Sequence, residues 1–179
     1  MVYMFLGTGF EETEAIVPLD LLRRAGVEVK TVGLNGKVIT GSHGIPVTAD
    51  LEIGEVSLQD LEMVILPGGL GGVNSIRGCK AALDLIRYAC HSGAFVAAIC
   101  AGPTVLADLG ITEGKNATCY PGCEGGMGNA TIHEEAAVRD GRIITGASAG
   151  CAVSFGLKLI EALKGQAEAD RIARQIVIR

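Results

Sequence analysis

Two short apolar runs, each followed at once by a tight turn, constrain the fold of this chain most strongly. The first covers residues 63–66 and ends in Pro-Gly-Gly, and the second covers residues 94–99 and ends in Cys-Ala-Gly. Short apolar runs of this kind are typical of strands that are buried on both faces of a parallel sheet. Both turns then lie at the carboxyl ends of strands, which is where open α/β sheets bind their ligands.

The rest of the chain alternates between strand and helix patterns. Further strands, some of them in hairpins or at an edge, are predicted at residues 2–6, 27–32, 36–49, 135–139 and 142–145. Helices are predicted at residues 12–25, 79–91, 101–109, 151–163 and 166–174. The alternation predicts an α/β fold with a mostly parallel sheet and helices on both faces. The length of 179 residues, 49% of them hydrophobic, predicts one domain over residues 1–179 with a sizeable core.

Charge and hydropathy argue against two classes of partner. The formal net charge is -5 and no run of Lys or Arg occurs. Because phosphate binding needs clustered basic residues, no nucleic acid is expected as a partner. No apolar stretch reaches the ~18 residues that a bilayer-spanning helix needs, so no membrane is expected either.

The cysteines bear on the cellular compartment and on metal binding. Their spacing is irregular, and no second Cys or His pair at zinc-ligand spacing accompanies the pair at 119 and 123, so neither a disulfide framework nor a metal is expected. The apolar N-terminus lacks the basic region and cleavage site of a signal peptide. We therefore expect a cytoplasmic protein. The six cysteines are Cys79, Cys90, Cys100, Cys119, Cys123 and Cys151.

Cys100 is the strongest candidate for a functional residue. It follows a predicted buried strand directly, has the small neighbours Ala101 and Gly102, and precedes a predicted helix. This is the arrangement of a nucleophile elbow with Cys in place of Ser. The helix N-terminus is expected to favour the thiolate, with the N–H of Ala101 pointing toward an oxyanion. The alternative is that Cys100 is a small buried hydrophobic residue, a common role of free cysteine.

Glu14 is the candidate partner acid. It lies in the first turn of the predicted helix 12–25, directly before Ala-Ile-Val, so burial is expected to raise its pKa. If protonated, it can donate a hydrogen bond to a thiolate or a sulfinate. Acids in a first helical turn otherwise lie at the surface and stabilise the helix dipole, which is the simpler explanation for Glu11 and Glu12.

The Pro-Gly-Gly turn after residues 63–66 offers a third group of candidates. The backbone amides of Gly68 and Gly69 are expected to face an anion, since glycine permits close approach. The alternative is that these residues only form a turn.

Four segments occur in one order and at set intervals. They read Gly-Phe-Glu-Glu-Thr-Glu at 9–14, Arg-Arg-Ala-Gly at 23–26, Leu-Pro-Gly-Gly at 66–69 and Ala-Ala-Ile-Cys-Ala-Gly-Pro at 97–103. Over nearly the whole chain, they resemble the ThiJ/PfpI superfamily, in the branch of the parkinsonism-associated protein deglycase. The resemblance implies a flavodoxin-like three-layer sandwich, a homodimer and no cofactor.

The resemblance also implies roles for the candidate residues. Cys100 corresponds to the reactive cysteine and Glu14 to its partner acid, while Gly68, Gly69 and Ala101 supply oxyanion-type amides. Three functions stay open. The first and preferred is a stress-response protein in which peroxide oxidises Cys100; the second is a glyoxalase or deglycase acting on 2-oxoaldehydes or their adducts; the third is a non-enzymatic chaperone-like dimer.

The chain departs from the pattern of that branch in two loops. Tyr120 stands where many members have a His, so it is the candidate catalytic residue there, although a Tyr hydroxyl with a pKa of about 10 is a poor base. Residues 147–151, Ala-Ser-Ala-Gly-Cys, replace an Arg-Gly-Pro-Gly-type loop, which removes a cation and adds a thiol. Both changes weaken the expectation of glyoxalase activity more than that of a redox role.

Cys119 is the candidate resolving thiol for an oxidised Cys100, because it is next to Tyr120 and a Pro-Gly turn separates it from Cys123. The alternative is that Cys119 and Cys123 are ordinary thiols in a loop. Two histidines are expected to have no role in the site. His43 lies in a turn-rich stretch and is expected to be solvated, and His133 is expected at the surface.

Overall fold

Strands and helices alternate along residues 1–178, the part of the chain that this computed structural model describes. The strands are β1 (Val2–Leu6), β2 (Val29–Gly33), β3 (Val38–Thr40), β4 (Pro46–Thr48), β5 (Leu51–Glu52), β6 (Met63–Leu66), β7 (Phe95–Ile99), β8 (Asn116–Ala117), β9 (Thr131–Ile132), β10 (Ala137–Asp140) and β11 (Ile143–Gly146). The helices are α1 (Glu12–Arg24), α2 (Leu70–Gly78), α3 (Lys80–Ser92), α4 (Pro103–Asp108), α5 (Ala152–Lys164) and α6 (Gln166–Gln175).

The central sheet has seven strands in the order β10-β11-β7-β6-β1-β2-β5. Neighbouring strands from β11 to β5 pair in parallel, and β10 pairs antiparallel with β11. Strands β3 and β4 form a separate antiparallel hairpin, while β8 and β9 form a short parallel pair. The mostly parallel α/β sandwich predicted from the sequence is confirmed.

A hydrophobic core lies on each face of the sheet. Successive side chains of β1 alternate between the two cores, which is why all five of its residues are apolar and buried. Met4 belongs to the core with α1, α5 and α6, where it joins Leu22 and Phe155. Phe5 belongs to the core with α2, α3 and α4, where it joins Ile86. The sheet is therefore fixed from both sides.

Helix α2 is the main difference from the sequence-based prediction, which placed no helix at these residues. This helix contains Gly71 and Gly72, and glycine is a poor helix former in isolation. The structure explains them: a Cβ atom at Gly72 would lie 2.7 Å from the Cα of Phe10, so close packing against the β1–α1 loop requires glycine. None of the helices within residues 1–178 is long and apolar enough to cross a membrane.

Candidate active site

A cavity of about 800 Å³ lies beyond the carboxyl ends of β1, β6, β7 and β11, which are neighbours in the sheet. The floor of the cavity is formed by residues at or near those strand ends. The rim is formed by residues that are exposed or partly exposed. The floor consists of Glu14, Gly69, Cys100 and Ala101, and the rim includes His43, Leu70, Tyr120, Cys123 and Ser148.

Cys100 follows β7 directly, in a left-handed backbone conformation with a φ of 65°. Such a conformation costs a residue with a side chain roughly 1–2 kcal/mol. Two backbone hydrogen bonds hold it: the N–H of Cys100 donates to the carbonyl of Gly146 at 2.9 Å, and its carbonyl accepts from the N–H of Tyr120 at 2.9 Å. The sulfur is thereby held at the floor of the cavity, as the nucleophile-elbow pattern predicts.

Two glycines make room for this elbow. A Cβ atom at Gly102 would lie 2.8 Å from the carbonyl oxygen of Leu66. A Cβ atom at Gly68 would overlap Glu14 Oε2 and lie 2.6 Å from the Cβ of Cys100. Both the tight turn and the meeting of the carboxyl with the thiol therefore depend on glycine.

Glu14 is brought to Cys100 by the start of α1. Glu11 caps the helix by accepting the N–H of Glu14 at 2.8 Å, and its own N–H donates to the carbonyl of Gly68 at 3.0 Å. The N–H of Gly68 donates to Glu14 Oε2 at 2.9 Å. The Cys100 side chain and the N–H of Ala149 also lie near the Glu14 carboxyl and act to lower its pKa. Glu14 is 1% exposed and Cys100 is partly exposed, and the two side chains of the sequence-predicted pair lie next to each other at the floor.

Burial governs the ionisation of this pair. Burial raises the pKa of Glu14 to about 7. Burial, followed by the charge of the Glu14 carboxylate, raises the pKa of Cys100 to about 12. Two anions in contact inside a protein are strongly disfavoured. From near neutral pH upward, the thiol and the carboxyl therefore share one proton, and sulfur becomes anionic when Glu14 holds that proton.

The backbone amides at the floor divide into two groups. The N–H groups of Ala101 and Gly69 lie near the sulfur and act to lower the pKa of Cys100. The N–H of Gly68 is used by Glu14 instead, which differs from the expectation that all three amides face an oxyanion. Burial and Glu14 outweigh the two amides, so the thiolate is less favoured than the helix N-terminus alone suggests.

A model of the DJ-1/PfpI family matches residues 1–162 of this chain. The chain belongs to the DJ-1/PfpI family. Protein dj-1beta of Drosophila melanogaster is 36% identical over 178 residues, which are 98% of this chain and 95% of the relative. The glutathione-independent glyoxalase DJR-1.2 of Caenorhabditis elegans is 29% identical, covering 94% of this chain and 90% of the relative.

Solved structures of the DJ-1/PfpI family share the fold over almost the full chain. The structure of oxidized Toxoplasma gondii DJ-1 has a TM-score of 0.94 and 31% identity, and the match covers 98% of this chain and 97% of that chain. The resemblance that the four sequence segments indicated is confirmed.

Tyr120, the candidate catalytic residue of the loop after α4, lies at the rim and is 49% exposed. Its backbone N–H holds the carbonyl of Cys100, as described above. This contact is made by the backbone and does not depend on the hydroxyl group.

Cys119 is not part of the cavity wall. It is 5% exposed and packs in a small cluster with Ala117 and Met127. Burial, followed by the charge of Glu124, raises the pKa of Cys119 to about 11. Cys123 lines the rim of the cavity that contains Cys100. The structure therefore favours Cys123 over Cys119 as the thiol with access to Cys100.

Sequence reasoning missed a second carboxyl group and a histidine at this site. Glu12 is 7% exposed, and its Oε2 lies 2.9 Å from Nδ1 of His43, which is on the rim. Burial alone would raise the pKa of Glu12, but hydrogen bonds from the side chain and backbone of His43 outweigh it and lower the pKa to about 2. The hydrogen bond to Glu12 raises the pKa of His43. The excess of acids in residues 11–14 was the only sequence signal for this pair.

Glu11, Glu12 and His43 bring potential metal-ligand atoms within 4.8 Å of one another. Both oxygens of Glu12 and the Nδ1 of His43 already take part in hydrogen bonds within this group and its turn. We therefore interpret Glu12 and His43 as a hydrogen-bonded pair, with Glu11 as a neighbouring acid, and not as a metal site.

Proposed function

We propose that this DJ-1/PfpI protein is a cofactor-free glyoxalase that uses Cys100 to convert small 2-oxoaldehydes into 2-hydroxy acids. The observation that carries the proposal is the contact between the Cys100 thiol and the buried carboxyl of Glu14. A carboxyl with a pKa of about 7 can accept and return a proton at neutral pH. Support also comes from the Caenorhabditis elegans relative that is named a glutathione-independent glyoxalase.

The first step joins the thiol to the substrate. As the sulfur of Cys100 bonds to the aldehyde carbon, Glu14 takes the thiol proton and then passes it to the aldehyde oxygen, which gives a hemithioacetal. The high pKa of the thiol is compatible with this step, because the proton leaves the sulfur only during the attack. The N–H groups of Gly69 and Ala101 are available to stabilise the negative charge that develops.

The second step moves hydrogen within the substrate. The Glu14 carboxylate removes the proton from the former aldehyde carbon, and the resulting enediol receives that proton on the neighbouring carbon. The product is a thioester between Cys100 and a 2-hydroxy acid, so one carbon is oxidised while its neighbour is reduced. Water then cleaves the thioester, releasing the acid and restoring the thiol.

The test is turnover of methylglyoxal by the purified protein without glutathione. We expect lactate to form. Cys100→Ser should lower the rate by on the order of 10³-fold or more. Cys90→Ser, which changes an exposed thiol elsewhere, is the matched control and should behave as wild type. Lactate formation that survives Cys100→Ser would contradict the proposal.

A second candidate function is peroxide sensing, in which peroxide oxidises Cys100 and the other residues of the cavity floor stabilise the product. Two hydrogen-bond donors at the sulfur, from Gly69 and Ala101, would stabilise the negative charge of a Cys100 sulfinate, and a protonated Glu14 would donate a third bond. The solved structure of Toxoplasma gondii DJ-1, at 31% identity, is that of the oxidized protein. In this reaction, each peroxide molecule takes two electrons from sulfur, transfers one oxygen atom to it and releases the other oxygen as water.

We further propose that the protein is a cytoplasmic homodimer. All six cysteines are free thiols, which suits a reducing compartment. Ile16 on α1 and Val153 on α5 are exposed apolar residues on two helices that pack together, and such residues are suited to a contact between two copies. Light scattering at micromolar concentration should give twice the mass of one chain, and a monomer mass would exclude the dimer.

A further inference from the structure

His43 shares the cavity with Cys100 although the two residues come from distant parts of the chain. It lies in the turn between β3 and β4, and its side chain is 69% exposed at the rim. A small substrate bound to Cys100 would occupy the same cavity as the imidazole. Besides His43 and Cys100, the titratable groups of the cavity are Glu11, Glu14, Tyr120 and Cys123.

Glu12 sets the orientation of the imidazole. Its Oε1 accepts the backbone N–H of His43 at 2.8 Å, and its Oε2 accepts Nδ1 at 2.9 Å and the hydroxyl of Ser42 at 3.2 Å. Because a carboxylate only accepts hydrogen bonds, Nδ1 must carry a proton. Nε2 is then the nitrogen that gains and loses a proton. A histidine oriented by a carboxylate in this way is a common general acid–base arrangement.

The turn that carries His43 is fastened to the β1–α1 loop. The N–H of Gly9 donates to the carbonyl of Thr40 at 2.8 Å, and the N–H of Ser42 donates to the carbonyl of Phe10 at 2.8 Å. A Cβ atom at Gly41 would overlap the Glu12 carboxylate, so the turn closes onto that side chain. The position of His43 is therefore tied to the same loop that positions Glu14.

The charges that face His43 favour its protonated form. Nδ1 lies 2.9 Å from Glu12 Oε2 and 3.8 Å from Glu11 Oε1. The hydrogen bond to Glu12, followed by its negative charge, raises the pKa of His43. An imidazolium at the rim can donate a proton to a substrate oxygen near neutral pH and can take a proton back afterwards.

We propose that His43 is the general acid–base group that moves protons between the substrate oxygens and that Glu12 is its positioning residue. This role rests on the glyoxalase chemistry proposed above, in which Glu14 handles the carbon-bound proton. When Glu14 removes that proton, Nε2–H of His43 protonates the ketone oxygen to give the enediol. When Glu14 returns the proton to carbon, Nε2 takes the proton from the other enediol hydroxyl, which leaves the thioester carbonyl and restores the imidazolium.

This assignment gives His43 a general acid–base role for which Tyr120 is poorly suited. A Tyr hydroxyl is a poor general base. His43 reaches the same cavity from a different loop, so the loss of the family His at position 120 does not leave the site without a histidine.

The test is the pH profile of kcat for methylglyoxal in wild type, His43→Gln, Glu12→Gln and the control His133→Gln. His133 pairs with Asn116 at 2.8 Å and does not line the Cys100 cavity. We expect His43→Gln to lower kcat about 100-fold and to abolish the fall in activity at high pH, because that fall reports loss of the imidazolium proton. Glu12→Gln should move the fall to lower pH, since the charge that raises the pKa of His43 is gone. His133→Gln should match wild type.

The alkylation rate of Cys100 separates this proposal from the proposed function. It should be unchanged in His43→Gln, because the thiol and Glu14 remain intact. Wild-type turnover that depends on Cys100 but is the same in His43→Gln would overturn the role of His43 alone. A wild type without turnover would overturn both proposals. A loss of kcat in His43→Gln that is accompanied by slower Cys100 alkylation would also overturn the role, because it would indicate a distorted floor.

Discussion

The floor and the rim of the cavity are built in different ways. The floor comes from the ends of parallel strands and from the first turn of α1, and its two reacting groups are held by backbone hydrogen bonds within the fold. The rim comes from loops, and its side chains are more exposed; Leu70, for example, is 76% exposed. The floor is thus part of the core packing, whereas the rim is added onto it.

The electrostatics of the two regions differ in the same way. At the floor, burial is the largest influence, and it raises the pKa of Glu14 and Cys100. At the rim, burial also acts to raise the pKa of Glu12, but hydrogen bonds together outweigh it and lower that pKa, while the hydrogen bond to Glu12 raises the pKa of His43. In the proposed mechanism, the floor therefore sets the reactivity of sulfur, while the rim supplies the second proton-transfer group.

The largest effect is expected from crowding the floor. In Gly68→Ala, the new methyl group would overlap Glu14 Oε2 and press on Cys100, so the pair must separate. We expect a loss of about 1–3 kcal/mol in the free energy of unfolding, together with loss of most methylglyoxal turnover. Gly54→Ala, which meets no atom within 4 Å, is the control and should change stability by less than about 0.5 kcal/mol. Equal stability and turnover in the two variants would show that the floor is not tightly packed.

The floor could be predicted from the sequence because its signals are local. Cys100 stands between a buried strand and two small residues, and Glu14 directly precedes an apolar stretch. The sheet then brings both to one edge, since parallel strands end on the same side. The exception is Gly68, because which acceptor an amide faces depends on the final packing and not on the residue type.

The rim could not be predicted because its contacts join residues far apart in the sequence. Glu12 and His43 are separated by 31 positions, and the hairpin between them has no pattern that indicates where it folds back. In the sequence, stabilisation of the helix dipole explains the presence of Glu12. The turn-rich stretch around His43 likewise indicates only a solvated side chain. The sequence could not show which of Cys119 and Cys123 faces the cavity for a similar reason, since the burial of Ala117 and Cys119 depends on packing against Met127.

A smaller effect is expected from the rim thiol. If peroxide oxidises Cys100 to a sulfenic acid, the Cys123 thiol can condense with it to form a disulfide and water. Cys123→Ser should then accumulate a few-fold more Cys100 sulfinate than wild type, as measured by mass spectrometry after mild peroxide treatment. Cys119→Ser, which changes the buried neighbour, should match wild type. More sulfinate in Cys119→Ser than in Cys123→Ser would restore Cys119 as the resolving thiol.

The smallest effect is expected from Tyr120. Its backbone N–H holds Cys100, and a Phe keeps that hydrogen bond while removing only the hydroxyl group. Tyr120→Phe should therefore keep kcat for methylglyoxal within about threefold of wild type over the neutral pH range. A drop of about 100-fold would indicate that the hydroxyl moves a proton in the reaction and that the rim has a second acid–base group.

The coupling of Cys100 with Glu14 is tested most directly by the rate at which iodoacetamide alkylates Cys100 as a function of pH, in wild type and in Glu14→Gln. If thiol and carboxyl share one proton, the wild-type rate should rise through pH about 7, stay level, and rise again only toward 12. Glu14→Gln removes the shared proton and should give a single rise nearer the ordinary cysteine pKa of about 8.5. A single rise at the same pH in both proteins would contradict the coupling of Cys100 with Glu14.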